Sequence, residues 1–292
     1  MDTDWSNLAV RLERLLERFE RIIDRHDPVL PRDPAFFDGA IAFRWRRSGE
    51  QGTFEPVTHP HLPDPADLVG IDLVREDLIR NTAQFMDGYP ANNVLLWGER
   101  GTGKSTCVKG MLRLFADRGL RLVEVQRDDL MSLPALIAAL RSVPRRFILF
   151  CDDLSFGEGE GGYRELKALL EGSIEAKPTN ILFYATSNRR HLLPERMEDN
   201  LSSEIHPEEA VSEKLSLADR FGMALGFYPF SQDVYLSIVE RYAEKFALPM
   251  EREALRKEAH LWAMYRGSRS GRSARQFIDD LAGRLGVRLN DR

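Results

Sequence analysis

Val94-Leu95-Leu96-Trp97-Gly98-Glu99-Arg100-Gly101-Thr102-Gly103-Lys104-Ser105-Thr106 decides the reading of this chain. From Gly98 to Ser105 it fits the pattern G-x-x-x-x-G-K-S/T. It is entered from an apolar strand candidate and left by a helix-like stretch, a context that a chance run of glycines lacks. Glycines let the backbone curl around an anion with no Cβ in the way. The amides then point inward at the start of a helix, where the dipole favours negative charge. In such a loop Lys104 reaches the β- and γ-phosphates of a nucleotide and the Ser105 hydroxyl holds Mg²⁺. A strand–turn–helix without a ligand is the alternative, and the agreement of pattern and flanks weighs against it.

Outward from the loop, apolar strand candidates fall at 93–97, 121–126, 146–151 and 180–186. Helical stretches at 72–87, 104–118, 133–142 and 162–172 precede or separate them. Alternation of strand and helix indicates an α/β fold, a parallel sheet with helices on both faces. After about residue 230 strand signals vanish, and 231–247, 251–266 and 272–287 read as helices of a small all-helical lid domain. Ahead of the sheet, 5–25 reads as an amphipathic helix, with Trp5, Leu8, Leu12, Leu15, Leu16, Phe19, Ile22 and Ile23 spaced by threes and fours. A proline-dense arm follows over 27–66, with a short hairpin expected over 43–57. The expected division is 1–66 for the N-terminal helix and arm, 67–228 for the nucleotide-binding αβα domain and 229–292 for the lid.

Composition sets outer limits. The 292 residues are 43% hydrophobic and 30% charged, as in ordinary globular proteins. A net charge of −5 argues against a chain-wide nucleic-acid surface while leaving room for a local basic patch. No run approaches the length of a membrane span, and the charged N-terminus lacks a signal core, so no membrane association and a cytoplasmic location are expected. Cys107 and Cys151 lack metal-ligand spacing and read as buried fillers.

Phosphate binding alone does not choose among kinases, GTPases and motors. Phe147-Ile148-Leu149-Phe150-Cys151-Asp152-Asp153 narrows the choice, because an apolar strand ending in paired acids puts carboxylates where ligands bind in open parallel sheets. Asp152 is the expected Mg²⁺ contact, and Asp153 the group that orients or deprotonates an attacking water. One strand later, Ile181-Leu182-Phe183-Tyr184-Ala185-Thr186-Ser187-Asn188 ends in polar residues, and Asn188 is placed to meet the γ-phosphate or the water.

These residues carry a family resemblance. With Asp152-Asp153-Leu154-Ser155-Phe156, Leu166-Lys167-Ala168-Leu169-Leu170-Glu171-Gly172 and Tyr184 to Leu192, the chain resembles an AAA+ ATPase of a bacterial branch filed as a domain of unknown function. The resemblance spans roughly 65–290 and implies roles residue by residue. Gly98, Glu99, Arg100, Gly101, Thr102, Gly103, Lys104, Ser105 and Thr106 form the Walker A loop, Asp152 and Asp153 the Walker B pair, and Asn188 sensor 1. Val69-Gly70-Ile71 resembles the segment that packs on adenine. Ala218-Asp219-Arg220-Phe221-Gly222 resembles the box carrying an arginine finger, so that Arg220 would reach a neighbouring subunit's γ-phosphate. Ser270 to Arg275 resembles sensor 2, with Arg272 ranked ahead of Arg275. The pair Asp-Asp departs from the Asp-Glu of most AAA+ proteins and resembles helicase loaders. Glu158 and Glu160 could supplement Asp153, and Arg189 and Arg190 rank below Arg220 as candidates for a neighbour's nucleotide.

The resemblance implies ATP and Mg²⁺ as ligands, a homo-oligomer (a ring or a nucleotide-dependent assembly), and a client that is protein or nucleic acid. Three functions stay open: an ATP-hydrolysing AAA+ module, a slow or non-hydrolysing ATP-dependent switch or loader, and a small-molecule P-loop kinase. Two basic clusters, Arg44-Trp45-Arg46-Arg47 and Arg266, Arg269, Arg272 and Arg275, are candidates for nucleic-acid contact, with Trp45 available for stacking.

Overall fold

The computed structural model describes residues 34–48, 51–156, 162–171, 176–190, 192 and 217–289. The helix expected over 5–25, and Glu158 and Glu160, lie outside them. Seven strands form one sheet: β1 (Ala42–Ser48), β2 (Gln51–Pro56), β3 (Val94–Gly98), β4 (Leu120–Val125), β5 (Arg146–Cys151), β6 (Ile181–Ser187) and β7 (Met223–Phe227). Their order is β2-β1-β4-β5-β6-β3-β7. Among the described pairings only β1–β2 is antiparallel. The parallel strands are buried on both faces, so side chains alternate between two cores. Leu95, Leu149 and Phe183 enter one with α3 (Leu133–Leu140) and α4 (Gly162–Glu171). Leu96, Phe150 and Tyr184 enter the other with α1 (Asp72–Met86) and α2 (Lys104–Phe115). The α/β architecture expected from alternation is the one observed.

Two elements differ from the sequence reading. The hairpin of the N-terminal arm is no separate appendage, because Ala42 to Trp45 pair in parallel with Leu122 to Val125. The expected boundary at residue 66 therefore has two strands of the sheet on its N-terminal side. The second difference is β7, which went unread. Met-Ala-Leu-Gly-Phe is short and carries a glycine, and its ladder is supplied by β3 rather than by local pattern.

Trp45 is also not available for stacking. It is fully buried, its indole N–H donates to Ser132 Oγ at 2.7 Å, and a Cβ at Gly52 would fall 2.0 Å from its ring. Cys107 and Cys151 are both buried, on opposite faces, and burial pushes each thiol up to about 12.

A third core belongs to α5 (Gln232–Lys245), α6 (Arg252–Arg266) and α7 (Gly271–Leu285), the expected helical lid. Ser231 caps α5 and Ser270 caps α7 through side-chain acceptance of backbone N–H groups. Among the described residues no helix is long and apolar enough to cross a membrane.

Candidate functional site

The phosphate loop is fixed at its root by the end of β7. The Glu99 N–H donates to the Phe227 carbonyl at 2.9 Å, and a Cβ on Gly98, whose φ is 129°, would lie 1.9 Å from that oxygen. Only glycine fits such an approach. Gly103, at φ 101°, is the N-cap from which α2 starts, so the first amides of that helix open toward the loop. Thr102 closes the turn by donating to the Glu99 carbonyl at 2.7 Å. Glu99 and Arg100 are exposed, while Lys104 is buried.

Strand order brings the remaining groups to this loop. β6 lies between β5 and β3, so the ends of all three meet at one edge. Lys104 Nζ donates to the carbonyls of Gly98 and Glu99 at 2.8 and 2.7 Å and contacts Asn188 Oδ1 at 3.3 Å. Burial lowers the Lys104 pKa, opposed by the charges of Asp152, Asp153 and Glu99. Asp152 Oδ1 accepts from Ser105 Oγ and from Thr186 Oγ1, each at 2.5 Å. Asp153 has its carboxylate bound by Asn188 Nδ2 at 2.5 Å and its N–H by Thr186 Oγ1 at 2.9 Å. Its φ of 55° puts a non-glycine residue in the left-handed region, a conformation that asparagine and aspartate adopt most readily.

Thr186 is the residue that sequence reasoning passed over. It is buried, donates to one acid and accepts from the backbone of the other, and so holds the pair in register. Its signal was its place near the end of β6, two residues before Asn188. The donor set at Ser105 and Asp152 is hard oxygen, the chemistry that suits Mg²⁺.

The other predicted residues are distributed as follows. Gly70, at φ 81°, sits where a Cβ would meet Val234 of α5 at 2.5 Å. Val69 packs on the lid core, and Ile71 is buried on the sheet side and lies near Gly103. The segment 69–71 thus lines the seam between loop and lid. The Arg272 N–H donates to the Gly101 carbonyl at 3.3 Å and its side chain is exposed beside the loop. Arg275, one turn on, pairs with Asp279 at 2.8 Å and lies over the rings of Tyr242 and Phe246. Arg190 lies over Trp97, and Arg189 is exposed. Arg220 does not join the loop. It precedes β7, pairs with Glu171, and is separated from Phe227 and Gly98 by the whole of that strand, about 17 Å at the usual rise.

A mostly parallel sheet with a phosphate loop, paired acids and a polar strand end at one edge, followed by a helical lid, fits the AAA+ class of P-loop NTPase folds. The chain belongs to the family described as "Protein of unknown function (DUF815)", whose model matches residues 38–285. The fold is similar to that of a RuvB point mutant from Thermotoga maritima, at 19% identity and a TM-score of 0.53, covering 78% of this chain and 69% of that one. It is also similar to the FIGL-1 AAA domain in complex with ADP, at 19% identity and a TM-score of 0.51, covering 77% and 75%. No curated protein matches the chain.

Proposed function

We propose that this chain binds Mg²⁺-ATP and hydrolyses it to ADP and phosphate, as an assembly of its own copies in the cytoplasm that changes shape to act on a macromolecular client. The observation that carries the reading is the contact network Lys104–Asn188–Asp153 beside Ser105–Asp152–Thr186. It sets a cation, a hydroxyl and two carboxylates around one glycine-rich loop at the start of α2.

The roles follow from the charges. Lys104 is buried and its ammonium is poorly solvated, so a phosphate gives it the counter-charge that burial withholds. Ser105 and Asp152 are the residues that would hold Mg²⁺, which would supply positive charge against that of the phosphates. Asp153 is the base or orienting group for the attacking water, and Asn188 fixes its carboxylate. Arg272 lies close enough to the loop to sense its contents from the lid, and Val69 to Ile71 form the adenine wall. Arg220 acts on the neighbouring copy, because the length of β7 keeps it from its own loop.

Replacing Asp153 by Asn tests this. ATP affinity should stay within about twofold while turnover falls ~10²–10⁴-fold, as expected for loss of a general base. Unchanged phosphate release would overturn the role of Asp153. A second reading, a slow ATP-dependent binding switch of the loader kind, draws support from the same contact: the shorter carboxylate is already engaged by Asn188. That reading expects ATP-dependent partner capture by the wild-type chain with negligible turnover.

A further inference from the structure

Arg190 stands two residues past Asn188, and its guanidinium lies over the Trp97 ring, 5.4 Å from the centroid. Trp97 is the residue before Gly98, at the root of the phosphate loop. The ring is itself held in place. In the sheet Trp97 pairs with Ser187 of β6 on one side and with Gly226 of β7 on the other. A Cβ on Gly226 would come within 3.0 Å of the indole, so glycine leaves the room in which the ring lies. Tyr228, one residue past β7, meets the ring in a T-shaped contact with centroids 5.7 Å apart. Trp97 is thus a fixed platform at the ends of three strands, and Arg190 docks on it from the segment that carries Asn188. That segment has a demanding task. β6 ends at Ser187, so Asn188 lies just beyond the ladder. A further tie comes at Leu192, which is buried and whose carbonyl accepts from the Phe156 N–H at 2.9 Å. Between these points the Asn188 amide meets Lys104 with its oxygen and Asp153 with its nitrogen. A guanidinium on an indole face is attracted by the ring quadrupole. Arg190 is exposed, where one such contact adds little to global stability, so its effect is local.

We propose that Arg190 is a positioning residue for Asn188: docked on Trp97, it holds the Asn188 amide between Lys104 and Asp153, and it acts within its own subunit. The proposal rests on the reading of Asn188 and Asp153 as parts of a hydrolytic site. It assigns Arg190 to its own chain rather than to a neighbour's nucleotide. Because Trp97 adjoins Gly98, whose carbonyl accepts from Lys104, the same contact ties the end of β6 to the root of the loop.

The test uses the full chain carrying Arg190→Ala or Arg190→Lys, with ATP affinity, turnover at saturating ATP and melting temperature measured in parallel. Arg190→Ala should lose about tenfold in turnover, the cost of a slightly misplaced group, with ATP affinity within about twofold. Arg190→Lys should recover much of the loss, because an ammonium is also drawn to the indole face. Adding Arg190→Ala to Asn188→Ala should cost nothing further, since Arg190 acts through Asn188. Mixing Arg190→Ala subunits with excess Lys104→Ala subunits, which keep Arg190, should restore nothing. Turnover restored by mixing would show that Arg190 serves a neighbour and overturns the proposal. A loss that Arg190→Lys leaves unrepaired, or a further loss on the Asn188→Ala background, overturns it as well. Normal turnover in Asn188→Ala sinks the reading of Asn188 and this proposal with it. A slow Asn188→Ala beside a normal Arg190→Ala sinks this proposal alone.

Discussion

Lys104, Ser105, Asp152, Asp153 and Asn188 touch one another or share a partner within one chain, whereas Arg220 is held at the other end of β7 by Glu171. The first group needs nothing further to be in place. Its hydrogen bonds tie three adjacent strand ends together. The second group lies a strand's length from this chain's own loop. The difference teaches that folding preorganises the half of the site proposed to bind nucleotide, while the proposed transition-state half waits for a neighbour. Hydrolysis would then depend on assembly, whereas nucleotide binding would not.

Variants of the arginines probe that contrast most sharply. Arg220→Ala should leave ATP affinity unchanged and lower turnover ~10³–10⁵-fold, the range for a trans arginine finger. Equal losses in affinity and turnover would show that Arg220 acts within its own subunit. Arg272→Ala should lower turnover about tenfold, with a matching effect on nucleotide affinity, as expected for one charge-assisted hydrogen bond to phosphate. Arg275→Ala should instead act on the lid itself. Its ion pair with Asp279 and its place over Tyr242 and Phe246 predict about 0.5–1 kcal/mol lost in chemical denaturation and little change in turnover. If Arg275→Ala proves the more damaging to turnover, the ranking of the two lid arginines reverses.

The smallest effect concerns pH. The folded-state pKa of Lys104 lies below its usual 10.5, so between the two values the unfolded chain binds more protons than the folded one. Lys104 therefore costs stability at neutral pH, and that cost fades as pH rises toward 10.5. Nucleotide phosphates would favour the ammonium and raise its pKa again. Binding within that window should take up protons, seen as a dependence of the calorimetric binding heat on buffer ionisation enthalpy. A buffer-independent heat would sink the assigned role of Lys104.

Legibility in the sequence followed how local each feature is. The loop from Gly98 to Thr106 was readable because its glycines, its lysine and its flanking strand and helix are contiguous. The strands β3 to β6 were readable from their apolar runs. β7 was not, because five residues including Gly226 carry little local signal, and pairing with β3 makes them a strand. Trp45 looked like a stacking residue between arginines, since alternation along a strand hides which face will be covered. Thr186 was visible only as one letter in a strand; its two hydrogen bonds require Asp152 and Asp153 to arrive from β5.

The sequence by itself determined the conformational vocabulary: a glycine loop able to wrap phosphate, an apolar strand ending in two acids, amphipathic helices for a lid. These follow from propensity and periodicity within a few residues. Tertiary structure alone decided which of these pieces meet. It set β6 between β5 and β3, so that Asn188 reaches both Lys104 and Asp153. It also joined the N-terminal hairpin to β4, turned Arg275 into a lid contact, and set the length of β7 between Arg220 and the loop. Those outcomes depend on strand order and on contacts between residues far apart in the chain, which no local pattern encodes.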